Sequence, residues 1–169
     1  MSLDPFLFLS PKISTSPSET HSALVTSRET YGGNYEANFK MTTLAQLRTG
    51  SAPNPWEVGW FVFGYKPDGK FKYLILKPNG YGVELGESLL NDRQNFLYTS
   101  RVGDENFSIG HSYDVRVRVE NGVVTLFVDG TERMRYRMSD RDLLSREGKI
   151  GFYTEDAAVR VEQVSVRAL

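Results

Sequence analysis

The chain has 169 residues, no cysteine, a formal net charge of −1 and a pI near 6.1. That length suits one domain able to bury its own core, and the absent thiols exclude disulfides and thiolate chemistry. The near-neutral balance gives no general attraction to nucleic acid, and no run approaches the ~20 apolar residues of a membrane span, so no membrane insertion is expected.

In chain order, the opening MSLDPFLFLSPKIST has a brief apolar patch but no basic lead-in and no small-residue cleavage site, so it does not read as a signal peptide. Residues 1–28 read as an N-terminal extension or edge strands, with short strands at 6–10 and 23–26, and residues 29–169 as the body of a single domain. Residues 34–41 alternate, with Tyr35, Ala37, Phe39 and Met41 on one side, which predicts a half-buried strand. Residues 44–48 predict a helical turn, and the following GSAPNP predicts a loop. Residues 56–65 are apolar on both faces and predict a central strand whose outer face is covered or used. Lys66-Pro67-Asp68-Gly69 turns the chain into a partner strand at 71–77, and Pro78-Asn79-Gly80 into another at 81–85. A strand follows at 95–99.

The clearest signal lies at residues 112–130, SYDVRVRVENGVVTLFVDG. Asn121-Gly122 predicts a two-residue type I′ turn, because both central positions need positive φ. That turn pairs Val119 with Val124, Val117 with Leu126 and Val115 with Val128, aligning six aliphatic residues on one face. Each contributes ~1.5–3 kcal/mol when buried, whereas a one-residue slip would bury Arg116 and Arg118. Asp129-Gly130-Thr131 is expected as a three-residue loop, since that count places Met134 beside Leu126 and Tyr136 beside Val124. Ser139 as N-cap and Gly148 as stop predict a two-turn helix over 139–146. Strands at 149–154 and 158–166 close the chain. Ten to twelve short strands with one short helix imply an all-β fold of two antiparallel sheets packed face to face.

The hairpin VRVRVENGVVTLFVDG, the stretch FKYLILKPNGYGVELGE and the ending GKIGFYTEDAAVRVEQVSV resemble the concanavalin A-like jelly-roll sandwiches. The similar branch holds the 3-keto-disaccharide hydrolase-like, exo-inulinase C-terminal and laminin G-like domains. This resemblance implies a sugar on a concave sheet opposite the hairpin, an oligo- or polysaccharide partner and an extracellular or periplasmic setting. It also implies a structural calcium near the chain ends, for which Glu162 is the candidate in the last strand.

The residues themselves leave three functions open. A carbohydrate-recognition module without catalysis is the first, using Trp56, Glu57, Tyr65, Tyr73, Lys77, Tyr81 and Glu84. Tyr65 and Tyr73 would be the stacking platforms, and a solvated Glu57 would put Phe61 and Phe63 outward, leaving Val58, Trp60 and Val62 in the core. A glycoside hydrolase-like enzyme with Glu57 and Glu84 as cross-strand carboxylates is the second. Glu155 and Asp156 are adjacent, point to opposite faces and do not make such a pair. The third is a protein-interaction module using the basic face of Arg116, Arg118, Arg133, Arg135 and Arg137. His21 and His111 sit in unrelated contexts and read as ordinary loop or strand-end residues, and neither a nucleophile elbow nor a zinc motif is present.

Overall fold

A computed structural model describes residues 5–89, 93–101, 103, 105–139 and 147–169. These residues form β1 (Phe6–Leu9), β2 (Ser22–Thr26), β3 (Tyr35–Gln46), β4 (Gly59–Tyr65), β5 (Phe71–Lys77), β6 (Gly82–Ser88), β7 (Gln94–Thr99), β8 (Ser112–Glu120), β9 (Val123–Val128), β10 (Thr131–Arg137), β11 (Lys149–Glu155) and β12 (Ala157–Ala168). They build two antiparallel six-stranded sheets, in the orders β1-β12-β3-β8-β9-β10 and β2-β11-β4-β5-β6-β7. This is the jelly-roll sandwich, and the described residues contain no helix. The helix expected over 139–146 falls almost wholly outside the described residues.

The β8–β9 hairpin has the register that its turn dictates. Asn121 and Gly122 take φ of 49° and 76°, and Val115, Val117 and Val119 lie opposite Val128, Leu126 and Val124, all six buried against the second sheet. The next turn differs from expectation in mechanism but not in result. Thr131 pairs with Val128 around a two-residue Asp129-Gly130 turn, and a bulge at Arg133 then sets Met134 opposite Leu126 and Tyr136 opposite Val124. A tight turn plus one extra residue thus achieves the same inward placement as a longer loop. The helical turn expected at 44–48 is instead strand, because β3 continues to pair with the long β12 as far as Gln46 opposite Ala157.

In the second sheet, two neighbouring rows of residues run across β11, β4, β5, β6 and β7. Phe152, Phe61, Leu74, Leu85 and Tyr98 form one row, and it packs into the core between the sheets. The adjacent row, Tyr153, Trp60, Ile75, Glu84 and Thr99, must face the opposite way, because side chains alternate along a strand. Phe61 and Phe63 therefore point inward, and Val58 and Trp60 join Tyr73 and Ile75 in a separate cluster on the outer face. This reverses the expected facing of β4, whose anchor was a solvated Glu57. Tyr65 does lie outward, stacked on Phe71 at 6.1 Å, because the chain bulges at Gly64 with φ of 61° and its alternation is broken there.

Candidate functional site

Glu57 is fully buried rather than solvated, and it belongs to a closed polar cluster at one end of the sandwich. Its Oε1 accepts hydrogen bonds from Arg48 Nε at 2.7 Å and Asn54 Nδ2 at 2.8 Å. The same guanidinium donates to Asp156 Oδ2 at 2.8 Å and to the Ser16 and Glu19 carbonyls at 2.7 and 2.9 Å. Asp156 Oδ1 takes the Ser14 hydroxyl at 2.5 Å and the His21 backbone N–H at 3.0 Å. Ser14 has no exposed surface and gives its proton to a carboxylate, so this Ser, His and Asp set is not arranged for nucleophilic attack. Arg48 brings a positive charge to two carboxylates and two loop carbonyls, an all-oxygen set of the kind that otherwise holds a hard cation. Glu162, by contrast, sits mid-strand opposite Lys40 and is ion-paired with Arg160 at 3.0 Å. Among the described residues no three acidic or histidine side chains gather in a metal-holding group.

A groove of about 310 Å³ opens on the outer face of the second sheet, lined by Pro55, Trp56, Trp60, Lys77, Tyr81, Glu84, Gln94, Phe96 and Glu155. Four of the seven expected binding residues, Trp56, Lys77, Tyr81 and Glu84, are brought together here, while Glu57, Tyr65 and Tyr73 are not on its wall. Tyr73 is 0% exposed, so its ring cannot serve as a stacking platform. It is instead the floor of the face, packed against Trp60 at 4.6 Å, with its hydroxyl donating to Glu84 Oε1 at 3.3 Å. Gly86 lies opposite it, and a Cβ there would collide with that hydroxyl.

The walls differ from the floor. Trp56, Tyr81 and Phe96 are 45%, 39% and 65% exposed, and Trp56 is anchored by Trp60 Nε1 donating to its carbonyl at 2.8 Å. Between these rings Lys77 Nζ donates to Glu84 Oε2 at 2.6 Å and lies 5.9 Å from the Tyr81 ring centre. Lys77 and Glu84 are buried except where they meet the groove. The second carboxylate on the wall, Glu155, has a different environment. Its Oε1 accepts the Tyr153 hydroxyl at 2.7 Å, and among the described residues it has no ion-pair partner. Burial first, and then the negative charges of Asp156 and Glu57, push its carboxyl above the ordinary range, against the Tyr153 hydrogen bond and the more distant Arg48.

Residue reading missed Trp60, Gln94, Phe96 and Glu155. The one available signal was parity, since Glu155 is two residues beyond Tyr153 on β11 while Asp156 turns into the closed cluster. A larger hollow of about 480 Å³ opens where edge strands β1 and β2 part. Its polar side chains are only Thr26, Ser27 and Gln163, with no charged group to orient a polar ligand.

On the opposite sheet three of the five arginines of the expected basic face, Arg116, Arg118, Arg133, Arg135 and Arg137, are matched by acids. Arg118 pairs with Glu120 at 3.1 Å, Arg135 with Glu132 at 2.7 Å and Arg133 with Glu105 at 3.3 Å, while Arg116 stacks 4.0 Å over Phe127. The bulge puts Glu132, not Arg133, opposite Phe127, so the expected continuous basic row is interrupted by an acid.

No protein-family model matches the sequence, and no curated protein matches it. Solved structures do match in shape. The carbohydrate binding module CBM66 from Bacillus subtilis superposes with a TM-score of 0.69 over 96% of this chain and 95% of that one, at 11% identity. Sheep galectin-11 in complex with glycerol gives 0.56 over 86% and 96% at 17% identity, and a human galectin-16 variant 0.57 over 87% and 95% at 12%. At these identities the likeness establishes the concanavalin A-like jelly-roll fold.

Proposed function

We propose that this protein is a carbohydrate-recognition module that binds saccharide in the groove on the outer face of its second sheet. The observation that carries this reading is the set of exposed Trp56, Tyr81 and Phe96 rings around the buried Lys77–Glu84 pair. Sugar rings offer apolar C–H faces to flat side chains and hydroxyls to charged groups, and the groove supplies both within one open cleft. The neighbours in shape that are named as a carbohydrate binding module and as galectins support the reading. A glycan array is the direct test: retention of one saccharide class by the protein, lost in Trp56→Ala and Tyr81→Ala variants of unchanged stability, is the expected result. Retention unaffected by either substitution would move the site elsewhere.

Cleavage is a second reading, favoured by the presence of Glu84 and Glu155 on one wall, one ion-paired and one with a raised pKa. Glycoside cleavage needs carboxyl groups ~5–10 Å apart. Glu84 on β6 and Glu155 on β11 are separated by two intervening strands, about 14 Å between backbones. Binding, which the exposed rings beside the Lys77–Glu84 pair support without any requirement on carboxyl spacing, is the better-supported activity. Release of reducing ends from a retained glycan, abolished by Glu155→Gln, would reverse that choice.

A further inference from the structure

Within the groove, the two carboxylates are treated unequally. Glu84 has an ammonium of the protein's own on it, Lys77 Nζ at 2.6 Å, and that ammonium also lies 5.9 Å from the Tyr81 ring. Glu155, at the other end, is offered the same kind of surroundings, with Trp56 and Trp60 as groove-lining neighbours, but no ion-paired cation among the described residues. Among the described residues its carboxyl accepts a side-chain hydrogen bond from Tyr153 alone, and a carboxylate carries roughly four acceptor positions. Asp156 and Glu57 stand behind it, and their guanidinium partner, Arg48, is consumed by four oxygen acceptors. The Glu155 end of the groove is thus short of one positive charge.

We propose that the groove selects saccharides bearing a free, protonated amine, with the ammonium seated on Glu155 among the aromatic rings and the remaining sugar extending toward Lys77 and Glu84. The inference rests on the carbohydrate reading and specifies its ligand class. An ammonium over aromatic faces gains from their negative quadrupole, and beside a half-buried carboxylate it gains a charge-assisted hydrogen bond. The upward displacement of the Glu155 carboxyl agrees, since burial and the charges of Asp156 and Glu57 disfavour its ionised form by more than the Tyr153 hydrogen bond and Arg48 favour it. An anionic sugar is disfavoured by the same arrangement. It would meet Glu155 unpaired, and the one cation on the wall is already matched by Glu84. Lys77 does not repel the incoming amine strongly, because Glu84 neutralises it and the two ends of the groove are three strand spacings apart.

The test uses three tetrasaccharides of one linkage that differ only at C2: β-1,4-linked glucosamine, its N-acetylated counterpart and the glucose tetramer, titrated calorimetrically into the whole chain at neutral pH. The glucosamine tetramer should bind at least tenfold more tightly than either neutral one, and Glu155→Gln should erase that difference while the variant melts no lower than the parent. Equal or weaker binding of the free amine, or a preference that survives in Glu155→Gln, overturns the inference but leaves the carbohydrate reading standing. If none of the three binds and a glycan array is blank, both fail. Preferential capture of a lysine-rich peptide over the glucosamine tetramer overturns both in favour of a protein ligand.

Discussion

Two groups of charged side chains lie close together in this sandwich and have opposite characters. In the closed cluster Arg48, Glu57, Asp156 and Ser14 face one another away from solvent, with Arg48 alone donating to four acceptors and Glu57 Oε2 left without a hydrogen-bond partner. In the groove Lys77 and Glu84 form one tight pair, and Glu155 keeps acceptor capacity facing an open cleft lined by exposed rings. The difference teaches that burial of charge does not mark a functional site, whereas incomplete partnering beside open space does. A network closed to solvent holds loops to the sheets, and an incompletely partnered group that faces a cleft is available to a ligand.

The largest effect should come from opening the closed cluster. Asp156→Ala leaves the Arg48 guanidinium buried with one carboxylate, and removing one partner of a buried pair costs about 3–5 kcal/mol. Asp156 also takes φ of 46°, which Asn tolerates better than Ala. Asp156→Asn should therefore lose less, and urea unfolding of the two variants would separate backbone preference from charge. Addition of a chelator should leave the parent's stability unchanged, since Arg48 supplies the positive charge in this cluster.

Next comes the floor of the groove. Gly86→Ala inserts a methyl group where the Tyr73 hydroxyl lies, and overpacking of this kind costs about 1–3 kcal/mol. Both stability and saccharide affinity should fall, because Tyr73 supports Glu84 through its hydroxyl. If affinity falls with no loss of stability, the floor is softer than its packing implies, and the contrast between a rigid floor and an open wall weakens.

How much of this was legible in the sequence depends on whether a residue type broke the symmetry of its strand. In β8 and β9 the Asn121-Gly122 turn and the arginines on the outer face left one register, and the pairs formed accordingly. In β4 both faces are apolar, so a single assumption about Glu57 decided the facing of Phe61, Phe63 and Trp60, and it failed. Glu57 meets Arg48, whose sequence context of loop and polar residues gives no hint of a buried partner. In β5 Tyr73 and Ile75 share the outward parity of Lys77 while Leu74 and Leu76 face inward, although Lys77 is itself buried in its pair with Glu84. The depth of Tyr73, however, comes from the neighbouring strands and Gly86, which no single-strand pattern contains. Glu155 and Asp156 were read as an unproductive adjacent pair, yet their opposite facing is what assigns one to the groove and the other to the cluster.

Truncation of the walls should affect only binding. Trp56→Ala and Tyr81→Ala remove rings that are partly exposed on the groove wall, so each should cost about 1–3 kcal/mol of saccharide affinity while thermal unfolding stays within about 0.5 kcal/mol of the parent. Isothermal titration beside calorimetric melting gives both numbers on one sample. A large stability loss with no affinity change would place these rings in the packing rather than on the ligand.

The smallest effect concerns Glu155 and pH. Its carboxyl is held above the ordinary glutamate range, chiefly by burial and then by Asp156 and Glu57. The folded state therefore binds a proton more readily there than the unfolded chain does. Between the ordinary glutamate value and the raised folded value the native state carries more protons, so the Glu155 contribution to stability is greatest at low pH and is lost as pH rises through that window. Other groups facing the carboxyl, Tyr153 and Tyr73, have their own ionisation displaced upward, so they remain neutral and add no slope in this range. Glu155→Gln keeps the shape and removes the titration. The variant should be slightly more stable than the parent at neutral pH, and the difference should shrink toward acid. Urea midpoints of both proteins from pH 4 to pH 8 read this directly: parallel curves would mean that Glu155 is as well hydrated in the fold as in the unfolded chain, and the groove would then resemble open surface rather than a partly desolvated site awaiting a cation.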